Sequence, residues 1–449
     1  MTGEWVERLL GAPTEGIGEE PGSPDGTIEP LFPLDESLSA AVVQLDRHPL
    51  LVVWCRFDHA AGTLGRVAAD RFVAALDHAV TSRLPVLAIA NSGGVRMQEG
   101  PAAFVRMLDL VAARRRLAAA HLPFVVYLAH PATGGVLASW GSLGDVTWAE
   151  PGALVGFTGP RVAEQLGEPI LPPESQRAES LYRHGILDAI VAPEDLAART
   201  SKLLSLLARD SGDEAADVDT ASAGVDGVGD STGLRGWEAV TAARGPRDRA
   251  VVDGLLGQSF VELSGDKAGS AATDVVVGIC RIGTEAAVVL GHRLGARPGV
   301  ADLRVARRGF EVAESLDLAV VAVIDTAGAR LSGLEESSGF AAELARSADR
   351  FAALSVPTVT VLGGQGSGGA AMAWFGGRAR LALPGSWFGP IAPEAGSLIV
   401  HRDTDHAPEI ATIQRVGSAE LLEAGLIDRI VDEPSLGSAV AGAIARQRR

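Results

Sequence analysis

One pattern is written twice along this chain, and that repetition limits the folds open to it. The first copy reads Pro85-Val-Leu-Ala-Ile-Ala-Asn-Ser-Gly-Gly-Val-Arg-Met97, then a helical stretch, then Leu122-Pro-Phe-Val-Val-Tyr-Leu-Ala-His-Pro-Ala-Thr-Gly-Gly-Val136. The second reads Leu318-Ala-Val-Val-Ala-Val-Ile-Asp-Thr-Ala-Gly-Ala-Arg-Leu331, a helical stretch, then Val356-Pro-Thr-Val-Thr-Val-Leu-Gly-Gly-Gln-Gly-Ser-Gly-Gly-Ala370. From Gly94 to Gly135 and from Gly328 to Gly369 the interval is 41 residues in both. The echo closes with His184-Gly-Ile-Leu-Asp-Ala-Ile-Val191 against Ala424-Gly-Leu-Ile-Asp-Arg-Ile-Val431. Apolar run, glycine turn, amphipathic stretch and apolar run again is the rhythm of parallel strands joined by helical crossovers. The expectation is two homologous α/β domains.

The domain reading is a flexible arm over 1–35, rich in Gly, Pro and Glu; a first domain over 36–208; an acidic Gly/Ala/Asp linker over 209–245; and a second domain over 246–449. At 449 residues, 47% of them hydrophobic, both domains have the material for a core. No basic-then-apolar leader and no long uncharged apolar run is present, so a soluble, cytoplasmic protein is expected. A net charge of -17 argues against a nucleic-acid partner, which needs clustered cations. The longest basic run, Arg114-Arg115-Arg116, reads as the solvated face of a helix. Cys55 and Cys280 lie in separate apolar runs and read as core residues, so no structural zinc, and no other metal, is expected. Lys202 and Lys267 are the only lysines, and neither sits in a P-loop or a Met-Lys-Met turn.

Gly364, Gly366 and Gly369 have G-x-G-x-x-G spacing, but a dinucleotide site is not supported. The twin turn, Ala132-Thr-Gly-Gly135, lacks the first two glycines, and no acid follows Gly369 before Glu394. A glycine pair at a strand-to-helix turn instead exposes backbone N–H groups that can hold a phosphate or an oxygen that becomes an oxyanion. Ser367 lacks the glycine two residues earlier that a nucleophile elbow needs, and Ser92 has no recognisable His or Asp partner. The nine histidines form no metal-binding spacing; His292, at a strand end, is the one with a suggestive position. Two sets of backbone donors without a clear acid, base, nucleophile or metal suit substrates that carry their own reactive groups.

Ser92-Gly-Gly-Val-Arg-Met-Gln-Glu-Gly100, Thr133-Gly-Gly-Val-Leu-Ala-Ser-Trp-Gly-Ser-Leu-Gly-Asp145 and the segment from Ala149 to Arg161 resemble the carboxyltransferase β subunit of bacterial acetyl-CoA carboxylase. Phe260-Val-Glu-Leu-Ser-Gly-Asp-Lys267, Val289-Leu-Gly-His292, Ile324-Asp-Thr-Ala-Gly-Ala329, Gly366-Ser-Gly-Gly-Ala370 and Ala424-Gly-Leu-Ile-Asp428 resemble the α subunit. The resemblance implies a β-α fusion with a crotonase-like ββα superhelix in each half. It differs from the usual pattern in lacking the four-cysteine zinc ribbon and in reading Thr326-Ala-Gly-Ala329 and Ala392-Pro-Glu-Ala395 where Thr-Pro-Gly-Ala and Ser-Pro-Glu-Gly are usual.

The resemblance also implies the chemistry. Gly134 and Gly135 would hold the thioester oxygen of an acyl-CoA, with Ser92, Gly93, Gly94, Arg96, Thr133 and Gly328 around the substrate. Gly368, Gly369 and the Ala370 N–H would hold the ureido oxygen of biotin, with Gly366 and Ser367 beside it. The biotin would arrive on a separate biotin carboxyl carrier protein, charged by a biotin carboxylase. In that family the two holes meet across a dimer interface, which implies a homodimer or larger homo-oligomer and no membrane partner. The competing readings are a malonate-decarboxylase-like enzyme acting on a malonyl thioester, and a non-catalytic scaffold of a carboxylase complex.

Overall fold

The computed structural model describes residues 28–158, 172, 174–208 and 232–449. Most of the expected arm and most of the expected linker fall outside these residues. The chain divides into two compact units, Met1–Ser205 with Lys267–Gly269, and Leu206–Asp266 with Ser270–Arg449.

The first unit is built on β1 (Ile28–Pro30), β2 (Leu38–Leu45), β3 (His48–Cys55), β4 (Val86–Ser92), β5 (Phe124–Thr133), β6 (Val146–Ala149), β7 (Val155–Gly156) and β8 (Ala189–Ile190). The second has β9 (Val261–Glu262), β10 (Val275–Ile282), β11 (Glu285–His292), β12 (Ala319–Thr326), β13 (Thr358–Ser367), β14 (Ala379–Ala382), β15 (Trp387–Gly389) and β16 (Arg429–Ile430). The sheet orders are β1-β2-β3-β4-β5-β6-β8, with β7 on β5, and β9-β10-β11-β12-β13-β14-β16, with β15 on β13. They are the same order, strand for strand.

Local chemistry explains the shared plan. In each unit an antiparallel pair is joined by two residues whose first has positive φ, Asp46 (50°) and Gly283 (61°), the backbone that tight hairpins require. From β3 and β11 onward the pairing is parallel, so helices must cross over. These crossovers are α1 (Arg66–Ser82) and α2 (Met107–Ala119) in the first unit; in the second, after α4 (Gly236–Ala243), they are α5 (Val300–Leu316) and α6 (Phe340–Ala352). The one-turn helix following β5 is α3 (Gly134–Leu137), and its counterpart following β13 is α7 (Gly368–Met372).

Both α1 and α5 start after a glycine and stop at a left-handed residue, Arg83 and Asp317. Phe72 and Leu76 of α1 and Leu110 and Leu117 of α2 cover Val53, Ala88 and Val126 of the first sheet. Burying one such side chain contributes about 2 kcal/mol. In the second unit Val289, Val321, Val359 and Val440 share a core.

Three expectations need correction. Ile28–Pro30 pairs with β2, so the flexible arm does not reach residue 35. Residues 236–243 of the expected linker form α4, because Ala239, Val240 and Ala243 have an apolar surface to bury against Trp387 and Ala411. Arg114 does not point to solvent: it is buried, with its guanidinium 2.6 Å from Asp145 and donating to the Leu143 carbonyl.

Candidate active site

Each glycine turn begins in a strand irregularity. In the first unit Ala90 pairs with Leu128 and Ser92 with Ala132, so β5 spends four residues where β4 spends two. In the second, Ile324 pairs with Leu362 and Thr326 with Gly366, the same excess. The bulged strands then end at Thr133 and Ser367, and the next residues, Gly134 (φ 63°) and Gly368 (φ 68°), take left-handed backbone that glycine adopts without strain.

Gly135 and Gly369 follow. A helix start leaves its first N–H groups without intrahelical acceptors, so the turns of α3 and α7 present backbone donors. At four and five residues these helices are too short for a large macrodipole, so the N–H groups themselves carry the polarity. A Cβ at Gly135 would lie 2.4 Å from Val95 Cγ2, and one at Gly369 would lie 3.0 Å from Leu344 Cδ1. A side chain at Gly135 therefore requires Val95 or the turn to move, and one at Gly369 requires the tip of Leu344 to give. Ala370, whose N–H is the next donor, is buried.

The loop after the preceding strand closes on each turn. Ser92 Oγ donates to the Gly62 carbonyl (2.6 Å) and accepts from Gly94 N–H (3.0 Å); Thr326 Oγ1 donates to the Ala296 carbonyl (2.9 Å) and accepts from Gly328 N–H (3.1 Å). These hydroxyls are struts, each bonded to two backbone groups of the neighbouring loop. Thr133 Oγ1 adds a 3.3 Å bond to the Ser92 carbonyl. Gly94, at φ 107°, fits so closely that a Cβ there would be 3.2 Å from Gly135 N. Gly328, at φ 127°, is looser, its nearest neighbour being Ser367 Oγ at 3.9 Å. Gly93 is exposed at the rim of the first turn.

Arg96 and its twin Arg330 brace these loops. Arg96 donates to Glu36, Ser37 Oγ, the Thr63 carbonyl and Glu99. Burial opposes ionisation of Glu36, but the Arg96 guanidinium and the Ser37 N–H outweigh it and hold the carboxyl down at about 2. Arg96, expected at the substrate, is thus committed to protein partners. Arg330 contacts Asp274, Thr273 and Glu335. The Gly-x-Arg repeated after both strands marks Arg330 as the counterpart of Arg96.

Gly366 and Ser367, expected beside the cofactor, are buried, because β15 packs against them: a Cβ at Gly366 would lie 2.8 Å from Phe388 Cδ2. Gly364 faces Asp325, whose Oδ1 would lie 2.3 Å from its Cβ. The first two glycines of the G-x-G-x-x-G match thus serve close packing, and the third, Gly369, is exposed.

His292 is wholly buried at the end of β11. Its Nδ1 accepts the Asp325 N–H (3.2 Å), and its ring stacks on Trp374 at 4.8 Å. Burial pushes its pKa down to about 4, so it is neutral and shielded from a role as surface acid or base. Two cavities flank the bulge of β13: one of about 330 Å³ touching Arg244, Arg247, Asp325 and Gln365, and one of about 280 Å³ touching Arg247, Gly363 and Gly364. Among the described residues no group of three or more His, Cys, Asp or Glu could hold a metal ion, and no helix is long and apolar enough to cross a membrane.

Comparison with known proteins agrees with this geometry. Residues 229–447 match the family described as acetyl co-enzyme A carboxylase carboxyltransferase-like. The chain is 43% identical over 408 residues to the probable biotin-dependent acyl-coenzyme A carboxylase beta3 subunit of Mycobacterium tuberculosis, covering 89% of this chain and 80% of that one. It is 33% identical over 440 residues to the acetyl-coenzyme A carboxylase carboxyl transferase subunits beta/alpha of Parafrankia sp., covering 91% and 72%. In fold it is similar to the transcarboxylase 12S hexamer core, solved with methylmalonyl-coenzyme A and methylmalonic acid bound: the TM-score is 0.76 at 18% identity, over 99% of this chain and 89% of that one. A single-chain, multi-domain long-chain acyl-CoA carboxylase superposes with a TM-score of 0.71 at 19% identity, over 98% of this chain and 46% of that one. Two crotonase-like α/β units, each ending a bulged strand in a backbone-donor turn, make this chain a member of the carboxyltransferase family of biotin-dependent acyl-CoA carboxylases.

Proposed function

We propose that the chain moves the carboxyl group of carboxybiotin, presented on a separate carrier protein, to the α-carbon of acetyl-CoA or a related short acyl-CoA, giving malonyl-CoA in the first case. The observation that carries this is the pair of equivalent turns, each a helix start with backbone N–H groups lacking intrahelical acceptors, beside which the hydroxyl, imidazole and guanidinium groups are tied to protein partners. Such a site stabilises developing negative oxygen and leaves proton removal to the substrates.

The N–H groups at Gly134 and Gly135 would hold the thioester oxygen of the acyl-CoA as it gains enolate charge, each well-aimed donor contributing about 3 kcal/mol to lowering the barrier. Those at Gly368, Gly369 and Ala370 would hold the ureido oxygen of biotin. Glycine at both second positions keeps each turn close against its neighbour, Val95 in the first and Leu344 in the second, which fixes the direction of the N–H groups. When bound, carboxybiotin supplies the carboxyl group and the basic ureido nitrogen. Thr133, Ser92 and Gly94 keep the first turn rigid, so its donors need no reorganisation as charge develops.

The reading includes a homodimer or larger assembly, in which turns of the two kinds meet between protomers, and a biotin carboxyl carrier protein and biotin carboxylase as partners. The bound methylmalonyl-coenzyme A of the transcarboxylase supports an acyl-CoA substrate. The test is incubation with a carboxybiotin carrier and a panel of short acyl-CoAs, with products identified by mass. Carboxylated product is expected; loss of carbon dioxide from a malonyl thioester with no dependence on biotin replaces this reading with the decarboxylase one.

A further inference from the structure

We propose that Asp325, fastened to His292 and Arg247, is a positioning residue that sets the biotin-facing donors of Gly368, Gly369 and Ala370. The inference rests on the carboxyltransferase reading for its catalytic consequence, but its structural content stands on the bulge of β13.

That bulge is Gly363–Gln365, extra length lying between the Leu362 and Gly366 pairings with β12. The 280 Å³ cavity borders Gly363 and Gly364, and the 330 Å³ cavity borders Gln365. The segment packs on Val251, Asp325 and Arg247 on one side and borders open space on the other, so hydrogen bonds from the packed side complete its hold. Asp325 supplies them from the end of β12: its Oδ1 accepts the Gln365 N–H at 2.9 Å, and its Oδ2 lies 2.8 Å from Arg247. Arg247 in turn donates to the Gly363 carbonyl at 3.1 Å. The two ends of the bulge are gripped by one ion pair. A side chain at 364 would collide with the same carboxylate, which accounts for Gly364.

The grip extends past the donors. Asp325 gives its own N–H to His292, and His292 stacks on Trp374, five residues beyond Gly369. Trp374 is held further by its indole N–H to Ser347 Oγ (3.0 Å) and by the bond from Thr360 Oγ1 to its carbonyl (2.6 Å). The chain before the turn and the chain after it are thus both pinned to the end of β12. Displacing donors by a fraction of an ångström is enough to lose much of their effect on a reacting oxygen.

The experiment compares the wild-type protein, Asp325→Ala and Asp325→Asn. Asn keeps an oxygen to accept the Gln365 N–H and loses the charge; Ala loses both. Asp325→Ala is expected to lower kcat about 30-fold with the acyl-CoA KM within about twofold, and Asp325→Asn to stay within about fivefold of wild type. Amide exchange across 363–372, which requires no activity, is expected to quicken about tenfold in the Ala variant and much less in the Asn variant. Unchanged exchange in a folded Asp325→Ala protein overturns the inference, as does equal loss of kcat in both variants. A wild-type protein without carboxyl transfer overturns the catalytic reading alone, because the exchange comparison still decides whether Asp325 holds the turn.

Discussion

The two units share a backbone plan and lock it with different chemistry. At the strand end before the first turn stands Asn91, which donates from Nδ2 to the His130 carbonyl at 3.1 Å; at the same place in the second stands Asp325, which accepts from Gln365 N–H. Where β11 ends in His292, β3 ends in Cys55, a buried thiol that burial pushes up to about 12. Trp374 stacks on that histidine, whereas Trp140, its counterpart after the first turn, stacks on Phe72 at 5.1 Å. Beyond the arginine braces, the first turn is thus held by tight glycine packing and neutral groups, and the second by an ion pair and an imidazole. A duplicated frame constrains the path of the chain, while the side chains that secure it are free to diverge.

The largest test of this contrast is at the cradles. Gly135→Ala is expected to cut carboxyl transfer about 1,000-fold, since its Cβ meets a branched valine methyl at 2.4 Å and the turn must move. Gly369→Ala, facing the tip of a leucine, is expected to cost about 100-fold or less, with circular dichroism showing both variants folded. Equal losses would mean that packing does not distinguish the turns.

The next is pH. His292 is neutral when folded, with a pKa near 4, and takes up a proton near 6.5 when exposed, so the stability it contributes is complete above pH 6.5 and declines as pH falls toward 4. The decline amounts to roughly 3 kcal/mol. Glu36 acts lower on the scale: its carboxyl is held at about 2, so its contribution is present above about 4.5 and is lost as pH falls from there toward 2. Exchange measured between pH 7 and 4 is expected to show the second unit loosening around β11 and β12 first, and His292→Asn to remove most of that dependence. His48, only partly buried, adds a smaller effect of the same sign in the first unit.

The smallest concerns the arginine braces. Arg96→Lys, which loses a fork shared among Glu36, Ser37 and Thr63, is expected to lower stability by about 2 kcal/mol. Arg330→Lys, on a side chain 41% exposed, is expected to cost under about 1 kcal/mol. Thermal melting of the two variants side by side gives the comparison.

The sequence carried the plan of this molecule because repetition is visible in one dimension. Equal spacing of Gly94 to Gly135 and Gly328 to Gly369 disclosed the duplicated strands, the turns and the exposed donors. What it concealed depends on contacts between residues far apart in the chain. Gly366 belongs to Phe388 and Trp387, Arg96 to Glu36, and Arg114 to Asp145, and no local spacing announces such partners. Asp325 was the nearest miss: a carboxylate inside an otherwise apolar strand demands a partner, but only the fold supplies Arg247 and Gln365.

The donors described at Gly135 and Gly369 belong to the main chain, and this changes what mutation can do to the site. Every residue except proline contributes an N–H, so on the proposed function substitutions around the turns can widen, narrow or recharge the surrounding walls while the donors themselves persist. Substrate preference is thereby open to drift across a lineage without passing through an inactive ancestor, provided the two glycines remain.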